Sequence, residues 1–202
     1  MISPATPVTH TPHAGKRLFI TGIPTAGKSY LAKLLAEKTG AIVVSFDNVL
    51  DGYLQDPHYE PWINFYWNQD ERTYLTQTSP DDQRHNLLLQ AECFWPLFAE
   101  CIRSHQTESR PVVFESVSLF PSLVRKEFDF PGVVLTCSSV EDVLTRNNLA
   151  PRWSELPDLQ KMESEAVFNI ERPLYLAEAK QFGLPVFEKA DDAVEYCVRL
   201  LK

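Results

Sequence analysis

The stretch GIPTAGKS, Gly22 to Ser29, leaves few architectures open to this chain. Leu18, Phe19 and Ile20 run into its first glycine, and Leu31, Leu34 and Leu35 follow it at i, i+3 and i+4. The first run reads as a short buried strand. The second reads as one face of a helix that ends at Gly40. The spacing between them is G-x-x-x-x-G-K-[ST], the pattern of a loop whose backbone wraps an anion. Glycines let successive N–H groups turn inward, and the helix N-terminus adds partial positive charge. In such a loop Lys28 reaches the β- and γ-phosphates of a nucleotide, and the Ser29 hydroxyl is offered to Mg²⁺. Gly22, Ile23, Pro24, Thr25, Ala26, Gly27, Lys28 and Ser29, with Tyr30 beside them, are the expected ATP contacts.

Further apolar, β-branched runs recur at AIVVSF (41–46), PVVFES (111–116), GVVLTC (132–137) and LPVFE (184–188). Continuous runs of this kind suit strands buried on both faces, the habit of parallel sheets. Helical patterns separate them. Ser79-Pro80-Asp81-Asp82 combines a cap residue, a first-turn proline and acids at the positive end of the dipole. The helix that follows buries Leu87, Ala91, Phe94, Phe98 and Cys101, and Pro96 is expected to kink it. Ser139 can cap a helix through Arg146. The stretch 156–182 reads as helical with an interruption near Pro173, and a last helix begins at Asp191. Strands alternating with helices give an α/β sandwich with right-handed crossovers.

Ligands of open parallel sheets bind beyond the carboxyl ends of the strands. That rule selects Asp47 in VVSFDNV, Glu115 in VVFESVS, Arg146 and Arg152 after strand four, and Arg172 in NIERPLYLAEA. Four of them also have a plainer reading. Asp47 caps the helix beginning NVLDGY. Glu115 is either a magnesium-side group, an acceptor contact or a capping acid. Arg152 belongs either to a lid or to the surface, and Arg172 either serves the reaction or closes a structural ion pair. Phosphoryl transfer needs in-line positioning, a metal, cations on the equatorial oxygens and a carboxylate at the attacking hydroxyl. The sequence offers one candidate for each part.

Together GIPTAGKS, the Asp after strand two and the basic positions after strand four resemble the P-loop small-molecule kinases. This is the adenylate-kinase-like group that includes shikimate kinase, gluconate kinase and chloramphenicol phosphotransferase. ERPLYLAEA is similar to the R-x-P-L-Y-x-x-x-A segment of shikimate kinases. The resemblance runs from about Arg17 to the end of the chain. It implies that Asp47 takes or orients the acceptor's proton, that Arg146 packs on adenine, and that Arg152 reaches the phosphates from a lid. It implies ATP and Mg²⁺ as cofactors, with Ser29 and Glu115 on the metal side. The expected architecture is a three-layer α/β P-loop NTPase fold with a five-stranded parallel sheet ordered 2-3-1-4-5. It forms a single domain over 16–202, with a helical acceptor-binding insertion at 52–108, a short lid at 146–165 and a flexible tail at 1–15. There are departures from the pattern. Thr25 stands where many of these kinases carry a third loop glycine, Glu115 replaces the more usual Asp, and no second Arg adjoins Arg146.

The insertion is rich in aromatics (Tyr53, Tyr59, Trp62, Phe65, Tyr66, Trp67, Tyr74), which suit either an apolar pocket or a small helical core. Its cations are few, chiefly Arg72 and Arg84, so a neutral hydroxylated small-molecule acceptor is expected, with Arg172 and Arg72 as candidate contacts. The formal net charge of −8 argues against a nucleic-acid or anionic-membrane partner. Cys93, Cys101, Cys137 and Cys197 have neither disulfide-framework nor metal-finger spacing. The N-terminus lacks an apolar signal core, and no apolar run reaches membrane-spanning length. A cytoplasmic monomer or homodimer is expected. Two alternatives share the loop: a regulatory ATPase acting through a protein partner, and a zeta-toxin-like kinase of a sugar nucleotide.

Overall fold

A computed structural model describes residues 15–202, so the expected tail at 1–15 lies almost wholly outside the described residues. Five strands form one parallel sheet: β1 (Arg17–Gly22), β2 (Ile42–Ser45), β3 (Val112–Glu115), β4 (Gly132–Leu135) and β5 (Val186–Phe187). Their order is β2-β3-β1-β4-β5, as expected. β3 and β4 are buried at every position, because helices cover both faces and leave no room for polar alternation. The apolar run expected to supply strand five contributes only Val186 and Phe187.

Among the described residues ten α-helices accompany the strands: α1 (Lys28–Thr39), α2 (Phe46–Asp51), α3 (Glu60–Ile63), α4 (Glu71–Gln77), α5 (Pro80–Ser104), α6 (Pro121–Glu127), α7 (Val140–Leu149), α8 (Pro157–Ala166), α9 (Arg172–Phe182) and α10 (Ala190–Leu201). α1 and α10 pack together, and α10 also meets β1 and β4; α9 rests on β4 and α6. Ser79 and Ser139 cap α5 and α7 through their side chains, accepting from Asp82 N and Asp142 N. Gly40 closes α1 in the left-handed region. α5 continues through Pro96, whose ring lies on the exposed side.

The interruption expected near Pro173 falls just before it. A π-helical turn, Val167–Glu171, joins α8 to α9, and Pro173 sits in the first turn of α9 directly after it. The region expected as a lid divides. Arg146 belongs to α7, residues 157–165 belong to α8, and only 150–156 form the connection. Among the described residues no helix is long and apolar enough to cross a membrane.

Candidate active site

The loop begins where β1 runs beside β4. Ile23 N donates to the Leu135 carbonyl at 3.1 Å. A Cβ on Gly22 would lie 1.9 Å from that same oxygen, and Gly22 has φ of +132°, so only glycine fits. Thr25 holds φ of 59°, a left-handed value rare for a β-branched residue, and its Oγ1 is buried with no partner. Gly27 then starts α1.

Lys28 is buried at 8% exposure, and its Nζ donates to the Ile23 carbonyl at 2.8 Å. Burial pulls its ammonium down to about 8, against the opposing attraction of Glu115 and Asp47. Ser29 Oγ donates to Glu115 Oε1 at 3.2 Å. Glu115 is 2% exposed at the end of β3, which pairs with β1 one strand away from the loop. Asp47 sits in the first turn of α2, behind the cap residue Ser45, so it also favours the helix dipole. Its side chain opens on the cleft, yet the protein around it pushes its carboxyl up, with Lys28 pulling the other way.

These side chains share one cleft of about 380 Å³, lined by Thr25, Lys28, Ser29, Asp47, Glu115 and Arg152. The metal-side candidates are a hydroxyl and a carboxylate in mutual contact. Such hard oxygen donors suit Mg²⁺, which takes one or two protein oxygens and completes its shell with phosphate and water. Among the described residues no group of three or more His, Cys, Asp or Glu side chains is placed to hold a metal by itself. Ser29 and Glu115 therefore fit as one or two protein oxygens of a Mg²⁺ shell completed from outside the protein.

Around the rim, Tyr30 donates its hydroxyl to Asp191 at 3.0 Å. Arg146 lies between the loop and the ends of β4 and β5. It donates to the Thr25 carbonyl at 3.4 Å, to Cys137 Sγ at 3.0 Å and to the Glu188 carbonyl at 3.5 Å.

Arg152 is tucked inward. Its side chain is 25% exposed, with Nη1 3.2 Å from Glu171 Oε1 and 3.8 Å from Glu163 Oε1. Its guanidinium lies 4.9 Å from the centre of the Tyr66 ring. Burial works against its charge, but Glu171, with Tyr66 and Glu163, holds it protonated above the usual arginine range. Asn147 braces this group, accepting from Arg152 N at 3.1 Å and donating to Glu163 Oε2 at 2.8 Å. Sequence reasoning missed Asn147, Glu163 and Glu171. The available signal was two acids on the inner side of the 156–182 helical stretch.

Two candidates stand apart from the cleft. Arg172 donates to the Cys137 carbonyl at 2.9 Å and to Glu188 Oε1 at 3.3 Å, and lies over Phe168. It ties α9 to the sheet's carboxyl edge. Arg72 pairs with Asp158 on the surface, both side chains more than half exposed.

No protein-family model matches the sequence, and no curated protein does. Solved structures do match. A shikimate kinase from Bacteroides thetaiotaomicron is 16% identical, covering 93% of this chain and 99% of its own, with a TM-score of 0.55. A deoxyadenosine kinase from M. mycoides with bound dATP is 13% identical, covering 91% and 97%, with a TM-score of 0.53. A gluconokinase from Sinorhizobium meliloti 1021 is 16% identical, covering 93% and 91%, with a TM-score of 0.52. The fold is that of the P-loop small-molecule kinases. In this kinase fold Lys28 and Ser29 lie at the start of the helix after β1, and Asp47 lies at the carboxyl end of β2.

Proposed function

We propose that the protein is an ATP- and Mg²⁺-dependent phosphotransferase that moves the γ-phosphate to a hydroxyl of a small molecule. The observation that carries this reading is the convergence of Lys28 and Asp47 on one cleft with Ser29 and Glu115. Lys28 supplies positive charge at the β- and γ-phosphates. It leaves the Ile23 carbonyl to do so, and its depressed basicity is restored by the phosphate it meets. Asp47 orients the acceptor hydroxyl and takes its proton. A carboxyl whose proton affinity is raised is a stronger base than an ordinary aspartate. Ser29 and Glu115 would hold the metal, which supplies charge neutralisation on the transferring group. Arg146, beside Thr25 and at the ends of β4 and β5, offers its guanidinium face to the base. Arg152 lines the same cleft and stands as the further cation for the phosphates.

The test is ADP formation from Mg·ATP with a panel of alcohols, nucleosides, sugars and antibiotics. Turnover is expected only with one acceptor class, and none in Lys28→Ala. Asp47→Asn should bind ATP normally and lose on the order of 10²–10⁴ in transfer rate. Loss of ATP binding in Asp47→Asn would remove it from the role of base. Steady turnover indifferent to every acceptor would instead favour a regulatory ATPase.

A further inference from the structure

Arg152 lines a second hollow, a cavity of about 20 Å³ walled by Tyr66, Tyr74, Trp153, Glu163 and Glu171. That volume holds one group the size of water or ammonium. The three rings form a mutual cluster, with centroids 5.6 Å apart for Tyr66–Tyr74, 5.5 Å for Tyr66–Trp153 and 5.9 Å for Tyr74–Trp153. The acids are deeply placed, Glu163 at 3% and Glu171 at 7% exposure. Glu71, at 7%, stands close enough to Glu163 for the two carboxylates to repel.

The donors do not suffice for these acids. Arg152 satisfies Glu171 Oε1 and Asn147 satisfies Glu163 Oε2. The 3.8 Å approach of Arg152 to Glu163 Oε1 is too long for a hydrogen bond. Glu163 Oε1, Glu171 Oε2 and Glu71 Oε1 are buried with no hydrogen-bond partner. The charges do not balance either, because one guanidinium faces the two carboxylates of Glu163 and Glu171. A buried acceptor without a donor is costly, so the set lacks a partner of definite chemistry. It must donate hydrogen bonds, carry positive charge, be about the size of one ammonium and present C–H surface to aromatic faces. Water meets the first need and the size, but it brings neither positive charge nor C–H surface.

We propose that this cavity seats an alkylammonium group of the acceptor, held by Glu163 and Glu171 inside the Tyr66, Tyr74 and Trp153 cage. The acceptor is then an amino alcohol or amino sugar rather than the neutral alcohol expected from the few cations at 52–108. Two of the acids that decide this come from outside that insertion, from α8 and the π turn. The substrate assignment rests on the kinase reading, through Arg152, which lines both this cavity and the cleft that holds Asp47. The strain on the acids agrees with it, since burial pushes Glu163 up and Glu71 up to about 7.

The cage is tested first without any phosphoryl transfer. The full chain is titrated with methylammonium chloride, following the methyl resonance and tryptophan emission, with methanol as the neutral isostere and potassium chloride as the ionic control. Saturable methylammonium binding with Kd on the order of 10 mM is expected, near the ceiling for so small a ligand. Methanol and potassium should bind at least tenfold more weakly. Glu163→Gln should weaken methylammonium tenfold or more while Mg·ATP binding persists. Absence of saturation by 100 mM, or equal binding of methanol or potassium, would overturn the proposal without touching the kinase reading. This wild-type comparison stands even if Glu163→Gln does not fold. In the ADP assay, amino alcohols and amino sugars should exceed their deaminated counterparts at least tenfold in kcat/KM. Equal rates for the two sets would leave a kinase whose acceptor is not held through an amine, and overturn the substrate assignment.

Discussion

Thr25 shows how one side chain can work against its own backbone. An L residue in the left-handed region costs about 1–2 kcal/mol, and Thr25 sits there with a buried hydroxyl that bonds to nothing. Thr25→Gly removes both penalties and adds about 0.5–1 kcal/mol of unfolded-chain entropy. The variant is expected to be about 1 kcal/mol more stable, a rise of roughly 2–4 °C in melting temperature. A drop in melting temperature would mean that the hydroxyl contributes something the glycine cannot replace. Glu71 gives a pH-dependent counterpart. Burial and Glu163 raise its carboxyl from 4.5 to about 7. The folded state therefore keeps a proton that the unfolded state has lost, and stability falls as pH rises from about 4.5 to about 7. Glu71→Gln removes that dependence. It should be more stable than the parent by about 1–3 kcal/mol at pH 8, and the two should converge towards pH 4 in urea unfolding. A gap that is the same at both pH values would contradict this account of Glu71. The loop residues were legible in the sequence because their spacing is fixed by the anion they wrap. The inward turn of Arg152 was not, because its partners Glu163 and Glu171 are brought to it only by folding.

Among the elements, the sheet was the most readable part. Runs of Val, Ile and Phe admit few other readings: β2 to β5 lie within their runs and β1 extends past its own to Arg17 and Gly22, though only β3 and β4 are buried at every position and β2 and β5 are partly exposed. Where the run is weakest, at 184–188, the strand is shortest, two residues paired to β4 alone. The join between β1 and β4 depends on a contact that no pattern reveals. A Cβ on Gly132 would lie 2.2 Å from the Phe19 ring, which is fully buried and packed edge-on against Phe130 at 6.0 Å. Gly132→Ala is expected to destabilise the protein by about 1–3 kcal/mol through overpacking. Phe19→Leu in the same chain should recover part of the loss, seen as a shift of the urea midpoint at constant slope. Additive losses in the double variant would rule out the ring as the obstacle. The π turn lay beyond sequence reasoning for a related cause. A helix with one wide turn has nearly the same apolar spacing as one without it. Yet that turn carries Glu171 to Arg152 and leaves Arg172 facing Cys137 and Glu188.

For the whole molecule, composition and topology were legible and the acceptor side was not. The alternation of strands and helices leads to a doubly covered parallel sheet, and the phosphate loop then fixes which end of it matters. The cavity proposed for the acceptor joins Tyr66 and Tyr74 from within 52–108 to Trp153, Glu163 and Glu171 from outside it, and the composition of 52–108 could not represent those last three. The strand order carries one more consequence, and it concerns time. β1 has no partner near it along the chain; its neighbours are β3, from Val112, and β4, from Gly132. During synthesis the loop therefore emerges well before β4 and stays unsupported until that strand has followed, because Leu135 must be in place before Ile23 can bond to it. Long-range parallel pairing of this kind folds slowly and leaves apolar strands exposed meanwhile. The loop is made well before the strand that completes it.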